Sequence, residues 1–200
     1  MVLNINALGH VLDPRIKLSI RPHIERGPML HVQGIIVHQT GSPTAQSTLN
    51  GYGPRANGAH LLIDKDGTIY QTASLLKQTA HVGRLRARCI ARSSCSPTEA
   101  RAFVNMSPSA RNRHEMTKQV PDRYPSNEDS IGIELVGQAF PLSESRSDKQ
   151  TYEAVTSAQN ASLKWLVGAL AMQLGVPMTE IFRHPVVSQK NATEAATAAW

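Results

Sequence analysis

His31-Val32-Gln33-Gly34-Ile35-Ile36-Val37 is the stretch on which the fold turns. It is a β-branched run and reads as a strand buried on both faces, which belongs in the interior of a sheet covered by further layers. The run stops at His38-Gln39-Thr40-Gly41. Ser42 and Pro43 supply an N-cap and a first-turn proline, predicting a short helix over 43–50 that ends in the loop Asn50-Gly51-Tyr52-Gly53-Pro54. Beyond it, Ala59–Asp64 and Thr68–Gln71 flank Lys65-Asp66-Gly67. The Asp-Gly pair supplies the positive backbone angles of a tight turn, so this is a β-hairpin. Ser130-Ile131-Gly132-Ile133-Glu134-Leu135-Val136 is a further strand. Ala154, Val155, Ala158, Trp165, Leu166, Ala169 and Leu170 then recur at helical spacing, predicting one long amphipathic helix over 151–174 stopped by Gly175 and Pro177. Residues 1–30, with Pro14, Pro22 and Pro28, read as an irregular lead-in, and the tail from Phe182 to Trp200 as a loop and an alanine-rich turn. The pattern predicts one α/β (α+β) domain over 31–200, a central mixed β-sheet flanked by helices.

Between residues 84 and 129 the character changes. Arg84, Arg86, Arg88, Arg92, Arg101, Arg111, Arg113 and Arg123 are spread among prolines and serines. Ser96, Pro97 and Glu99 form an N-cap, first-turn proline and capping-box glutamate, predicting a helix near 97–105. The remainder reads as a long surface excursion. The chain has 200 residues, 40% of them hydrophobic and only 4% aromatic, so aliphatic side chains must fill the core. No run approaches the roughly 20 apolar residues of a membrane span, which excludes an integral helical membrane protein. Met1–His10 lacks the layout of a secretory signal, predicting a chain that stays inside the cell or leaves without a cleaved leader. A net charge of +6 favours polyanionic partners. A nucleic-acid binder is the reading from arginines alone, and nothing else in the chain supports it. Cys89 and Cys95 either close a small disulfide loop or are ordinary thiols.

Four residues stand out chemically. His38 sits where a buried strand ends, a place from which a loop aims a side chain while the sheet holds it still; it is either that or a hydrogen-bonded plug. His184 opens a proline-containing loop and is a possible zinc ligand, although spacing alone cannot bring it to His38. Glu134 interrupts an apolar strand and shares its face with Gly132, which leaves room for a ligand; it is either a solvated residue or a general base. Lys190 follows in the tail, as a surface lysine or as the stabiliser of an oxyanion.

Taken in order, Ile35–Thr40, Ala59–Gln71, Ala80-His81-Val82-Gly83, Ser130–Gly137 and Arg183-His184-Pro185 with Lys190 resemble the zinc-dependent N-acetylmuramoyl-L-alanine amidases, the amidase type 2 family of the peptidoglycan-recognition-protein superfamily. The resemblance runs from about residue 31 to 195. It implies hydrolysis of the amide between N-acetylmuramic acid and the L-alanine of the stem peptide. It also implies zinc held by His38 and His184, Glu134 as base and Lys190 as transition-state stabiliser, with His60 and His81 along the substrate groove. The family's third ligand is a Cys or Asp two residues after the lysine. Here that position is Ala192, so Glu194, ten residues after His184, is taken as the third ligand. The groove tyrosine of some members is Ala59, and the arginine-rich segment is longer than the family needs.

The resemblance makes peptidoglycan the expected partner, with no nucleic acid and no membrane span. The rival is a non-catalytic wall-binding module on the same fold, favoured by Ala192. A wall enzyme without a leader fits a phage lysin, a cytosolic recycling amidase, or an antibacterial type VI secretion effector acting in the periplasm beside a cognate immunity protein. The two cysteines tilt the expectation toward the periplasm.

Overall fold

A computed structural model describes residues 3–200; Met1 and Val2, and with them the first residues of the leader reading, lie outside it. The first half contains β1 (Ile16–Leu18), β2 (Glu25–Pro28), β3 (Gly34–Gly41), α1 (Ala45–Gly51), β4 (Leu61–Ile63), β5 (Ile69–Gln71) and β6 (Lys77–Thr79). The arginine-rich segment holds α2 (Arg88–Ala91), α3 (Pro97–Val104) and α4 (Pro108–Glu115). The chain then runs through β7 (Ser130–Phe140), β8 (Thr151–Tyr152), α5 (Ser157–Leu174), β9 (Ile181–Arg183) and α6 (His184–Val187).

The main sheet has the order β1-β5-β4-β7-β3-β9, with β8 added at the far end of β7. Only the β4–β5 hairpin and the β7–β8 pair are antiparallel; β1, β7, β3 and β9 all pair in parallel. The expected mixed sheet is therefore present, and β3 is its buried interior strand. Period-two alternation sorts the side chains. Ile35 and Val37, Leu61 and Ile63, and Ile131, Ile133 and Leu135 point to one face, where Leu163, Leu166 and Leu170 of α5 cover them. Each such leucine, buried completely, stabilises the fold by about 2 kcal/mol. On the opposite face Leu62 and Val136 pack under α1, and Ile36 packs against Val82, Leu85 and Tyr124.

Several expectations are corrected. The interior strand begins at Gly34, not His31, and continues through His38 to Gly41. The cap of α1 is Thr44, whose side chain accepts from Ser47 N–H in a capping box, so Ser42 and Pro43 lie before the helix. The long helix starts at Ser157: Thr156 and Gln159 form its capping box, and Thr151–Tyr152 are drawn instead onto the edge of β7. Gly175 ends it in the left-handed region at φ +69°, as the sequence predicts. The lead-in is not irregular throughout, since β1 extends the main sheet and β2 pairs with β6. Ser96 caps α3 as expected, but Glu99 bonds Lys118 and His114 rather than closing the box.

The arginine-rich segment is not simply a surface excursion. Arg88 and Arg123 are buried, one in a two-pronged pair with Glu180 at 2.6 Å and the other paired with Asp129 at 2.6 Å. Cys89 and Cys95 form a disulfide directly after Arg88.

His60 lies under this sheet with no solvent contact. Its Nδ1 accepts the N–H of Gly132 at 3.0 Å and its Nε2–H donates to Lys77 O at 2.8 Å, so the neutral ring is satisfied and has no place for a second proton. Burial accordingly holds its pKa down at about 4, against an ordinary 6.5. Because the folded value lies below the unfolded one, this contribution to stability is complete above pH 6.5 and drains as pH falls toward 4. The expected loss is about 1.4 kcal/mol per pH unit. Urea unfolding across that window should show a slope shallower by one proton in His60→Gln than in the parent; equal slopes would refute the assignment.

Candidate metal centre

Strand register assembles the site. In the parallel β3–β7 pair His38 stands opposite Glu134, and in the parallel β3–β9 pair Val37 stands opposite Arg183. The residues that follow, His38 and His184, therefore stand side by side, with ring centroids 4.2 Å apart. Both lie on the face away from α5. Glu194 reaches them from the tail, where the N–H of Ala195 donates to Gln39 Oε1 at 3.1 Å and Ala195 takes a φ of 53°. Gln39, the residue after His38, also donates through Nε2 to Glu153 O at 2.9 Å, so one amide ties the tail to the sheet. Glu194 Oε1 lies 2.8 Å from His184 Nδ1 and 3.5 Å from His38 Nδ1.

The outer nitrogens fix the tautomers. His81 Nε2 faces Ser130 O at 3.3 Å, an acceptor, so that nitrogen carries the proton and His81 Nδ1 is bare. His81 Nδ1 then accepts His38 Nε2–H at 2.9 Å, which leaves the lone pair of His38 Nδ1 facing the centre. His184 Nε2–H donates to Val82 O at 2.8 Å while its Nδ1 faces the Glu194 carboxylate. Two acceptors, one at each nitrogen, are satisfied either by a second proton on this ring or by a cation at Nδ1.

The residues fit zinc. Two imidazole nitrogens and a carboxylate oxygen lie within 4.8 Å of one another. Zinc bonds of about 2.0–2.1 Å place two ligand atoms of one tetrahedral ion roughly 3.3 Å apart, and two histidines with a glutamate are a known catalytic set. Burial, then the neighbouring His184, lowers His38 to about 4, keeping it a neutral ligand. Burial works to raise Glu194, but the adjoining imidazoles, His184 before His38, outweigh it and hold the carboxylate at about 2. Glu134 behaves oppositely: burial and the charge of Glu194, against a weaker pull from Lys190, push it up to about 8. Its Oε2 is buried without a hydrogen-bond partner. A positive charge at the centre would restore Glu134 to its carboxylate form.

These side chains line a cavity of about 370 Å³, with Lys190, Asn57, Tyr152 and Asn127 on its walls. His81 borders it. His60 does not: it is the buried residue described above, both nitrogens engaged, and its expected place in a substrate groove is withdrawn. Gln39, Asn127 and Tyr152 were not singled out from the sequence. Asn127 reaches the site from the turn before β7, and Gln39 and Tyr152 from the strands β3 and β8, whose meeting no local pattern announces. The other cluster of His and Glu ligand atoms, Glu99, His114 and Glu115, is filled by Lys118 Nζ, 2.5 Å from Glu99 and 2.6 Å from Glu115.

Parallel strands thus bring His38 and His184 together, the tail adds Glu194, and Glu134 stands beside them with an unpartnered oxygen, a set of side chains able to hold a metal ion next to an acid–base group. The family model described as N-acetylmuramoyl-L-alanine amidase matches residues 28–196, and the chain belongs to that family. Among solved structures it is similar to AmpD, in a selenomethionine derivative, at 19% identity over 96% of this chain and 94% of that one, with a TM-score of 0.55. It is also similar to Pseudomonas aeruginosa AmpDh3 in complex with anhydromuramic pentapeptide, at 17% identity over 81% and 55%, with a TM-score of 0.52. A third is PlyL, at 13% over 88% and 84%, also with a TM-score of 0.52. At such identities the likeness is one of fold. No curated protein matches the sequence significantly.

Gly132 supplies the room for His81: a Cβ there would lie 2.7 Å from His81 Nδ1, the atom that accepts from His38. Gly132→Ala should cost about 1–3 kcal/mol through overpacking, and detach His81 from His38. Denaturant unfolding with histidine NMR checks both; an unchanged His38 signal would refute the second.

Proposed function

We propose that this chain is a zinc-dependent amidase that hydrolyses the bond between the lactyl carbonyl of N-acetylmuramic acid and the L-alanine amine of the stem peptide. The observation that carries the reading is the convergence of His38, His184 and Glu194 beside a partnerless Glu134. His38 Nδ1, His184 Nδ1 and Glu194 would hold the ion. When bound, zinc supplies Lewis acidity that lowers the pKa of water and polarises a carbonyl.

The chain's own residues do the rest. Glu134, beside the centre with an unpartnered oxygen, accepts a proton from the water that attacks the lactyl carbonyl and returns it to the leaving amine. Lys190, on the cavity wall, donates to the oxyanion as the carbonyl becomes tetrahedral. The C–N bond then breaks, giving a lactyl carboxylate and a free peptide amine. The rival reading, a wall-binding module without catalysis, rested on Ala192. With Glu194 beside both imidazoles that argument loses its footing.

The Cys89–Cys95 disulfide favours action in an oxidising compartment such as the periplasm, as by a secreted antibacterial effector or a lysin.

Purified protein should carry about one zinc per chain, and muropeptide release should vanish on chelation and return with zinc. His38→Ala should abolish both metal and activity, whereas Glu134→Gln should keep the metal and lose the activity. Undiminished release by either variant would reject the scheme. Lys190→Ala should lower kcat by about 10²–10³ with metal content unchanged, measured by chromatographic assay of released peptide.

A further inference from the structure

The acceptors that orient the two imidazoles lie on consecutive residues. His81 Nδ1 takes the Nε2–H of His38 at 2.9 Å, and Val82 O takes the Nε2–H of His184 at 2.8 Å. A shift of this one dipeptide therefore turns both rings together. Both backbone N–H groups of the dipeptide are held by one side chain. Asn127 Oδ1 accepts the N–H of His81 at 2.9 Å and the N–H of Val82 at 2.7 Å.

Asn127 is itself firmly placed. It sits in the turn before β7, where Asp129 accepts from Ser126 N–H at 2.7 Å while buried against Arg123. The amide thus links a turn held by a buried ion pair to the outer partners of both imidazoles. It also lines the cavity without reaching the centre.

We infer that Asn127 is a positioning residue for the metal centre, acting through the 81–82 backbone to hold His38 and His184 with their Nδ1 lone pairs aimed at one point. Removal of outer partners of metal-bound histidines weakens metal binding by about 10–100-fold, and here one side chain supports two such partners. Without Asn127, cavity water can satisfy the freed N–H groups, so the fold survives while the aim of the rings is lost. The inference rests on the metal reading above.

The test measures zinc affinity by chelator competition and the visible absorption of the cobalt(II)-substituted protein. It compares wild type, Asn127→Ala, Asn127→Asp and Asn112→Ala. Asn112 is a matched control, because its Oδ1 accepts the N–H of Leu85 at 2.8 Å farther along the same stretch. Asn127→Ala should bind zinc about tenfold or more weakly, with an altered cobalt spectrum. Asn127→Asp, which keeps the acceptor oxygen, should restore both, and Asn112→Ala should leave both unchanged. If the alanine variant does not fold, Asn127→Ser, too short to reach both N–H groups, takes its place with the same expectations. A folded Asn127→Ala with wild-type affinity and spectrum, an Asn127→Asp as impaired as the alanine variant, or an equal loss in Asn112→Ala would overturn the inference. A wild-type chain that binds neither metal overturns the metal reading, and this inference with it.

Discussion

His38 and His184 are neighbours because β3 and β9 run parallel with Val37 opposite Arg183, and Glu134 joins them because β7 runs parallel to β3 with His38 directly opposite. Three side chains separated by as many as 146 positions thus owe their meeting to backbone ladders alone. The same ladders decide which face they occupy. A slip of one residue in β3 would turn His38 into the leucines of α5 and expose Val37 to the cavity. The apolar seam under α5 is therefore what holds the polar site in register. Burial on one face of the sheet secures the chemistry on the other.

The charges at the site are arranged with equal economy. Two carboxylates share one cavity yet are driven apart, Glu194 toward permanent ionisation by its imidazole partners and Glu134 toward neutrality by burial. Such divergence separates a ligand from an acid–base group. The imidazoles are confined from outside, each with its Nε2 committed to an acceptor, so that only Nδ1 faces inward. The zinc reading grows from this pattern of used and unused lone pairs.

Much of this was legible in the chain because the signals were local. Asp66-Gly67 gave a hairpin, Gly175 a helix stop and Ser96 a helix start, and the structure holds all three. The failures were long-range. The sequence predicts the helix to start at 151, and only the nearby edge of β7 makes Thr151 and Tyr152 a strand. Arg88 looked like its exposed neighbours until Glu180, 92 positions away, gave it a buried partner. Ala59-His60 and Ala80-His81 are the same dipeptide, yet one histidine is sealed under the sheet and the other braces His38. Sequence showed that a glycine at 132 made space, but not that His81 would take it.

The arginine-rich segment is fastened at both ends: Arg88 grips Glu180 at its start, and Arg123 grips Asp129 at its finish. Leu85 bridges to Ser188 just outside, between His184 and Lys190. What lies between the two clamps is structurally a cassette. Its helices reach back to the chain that enters it, Glu115 accepting the N–H of Arg88 and Asn112 that of Leu85, so the segment is closed on itself by hydrogen bonds as well as by its clamps.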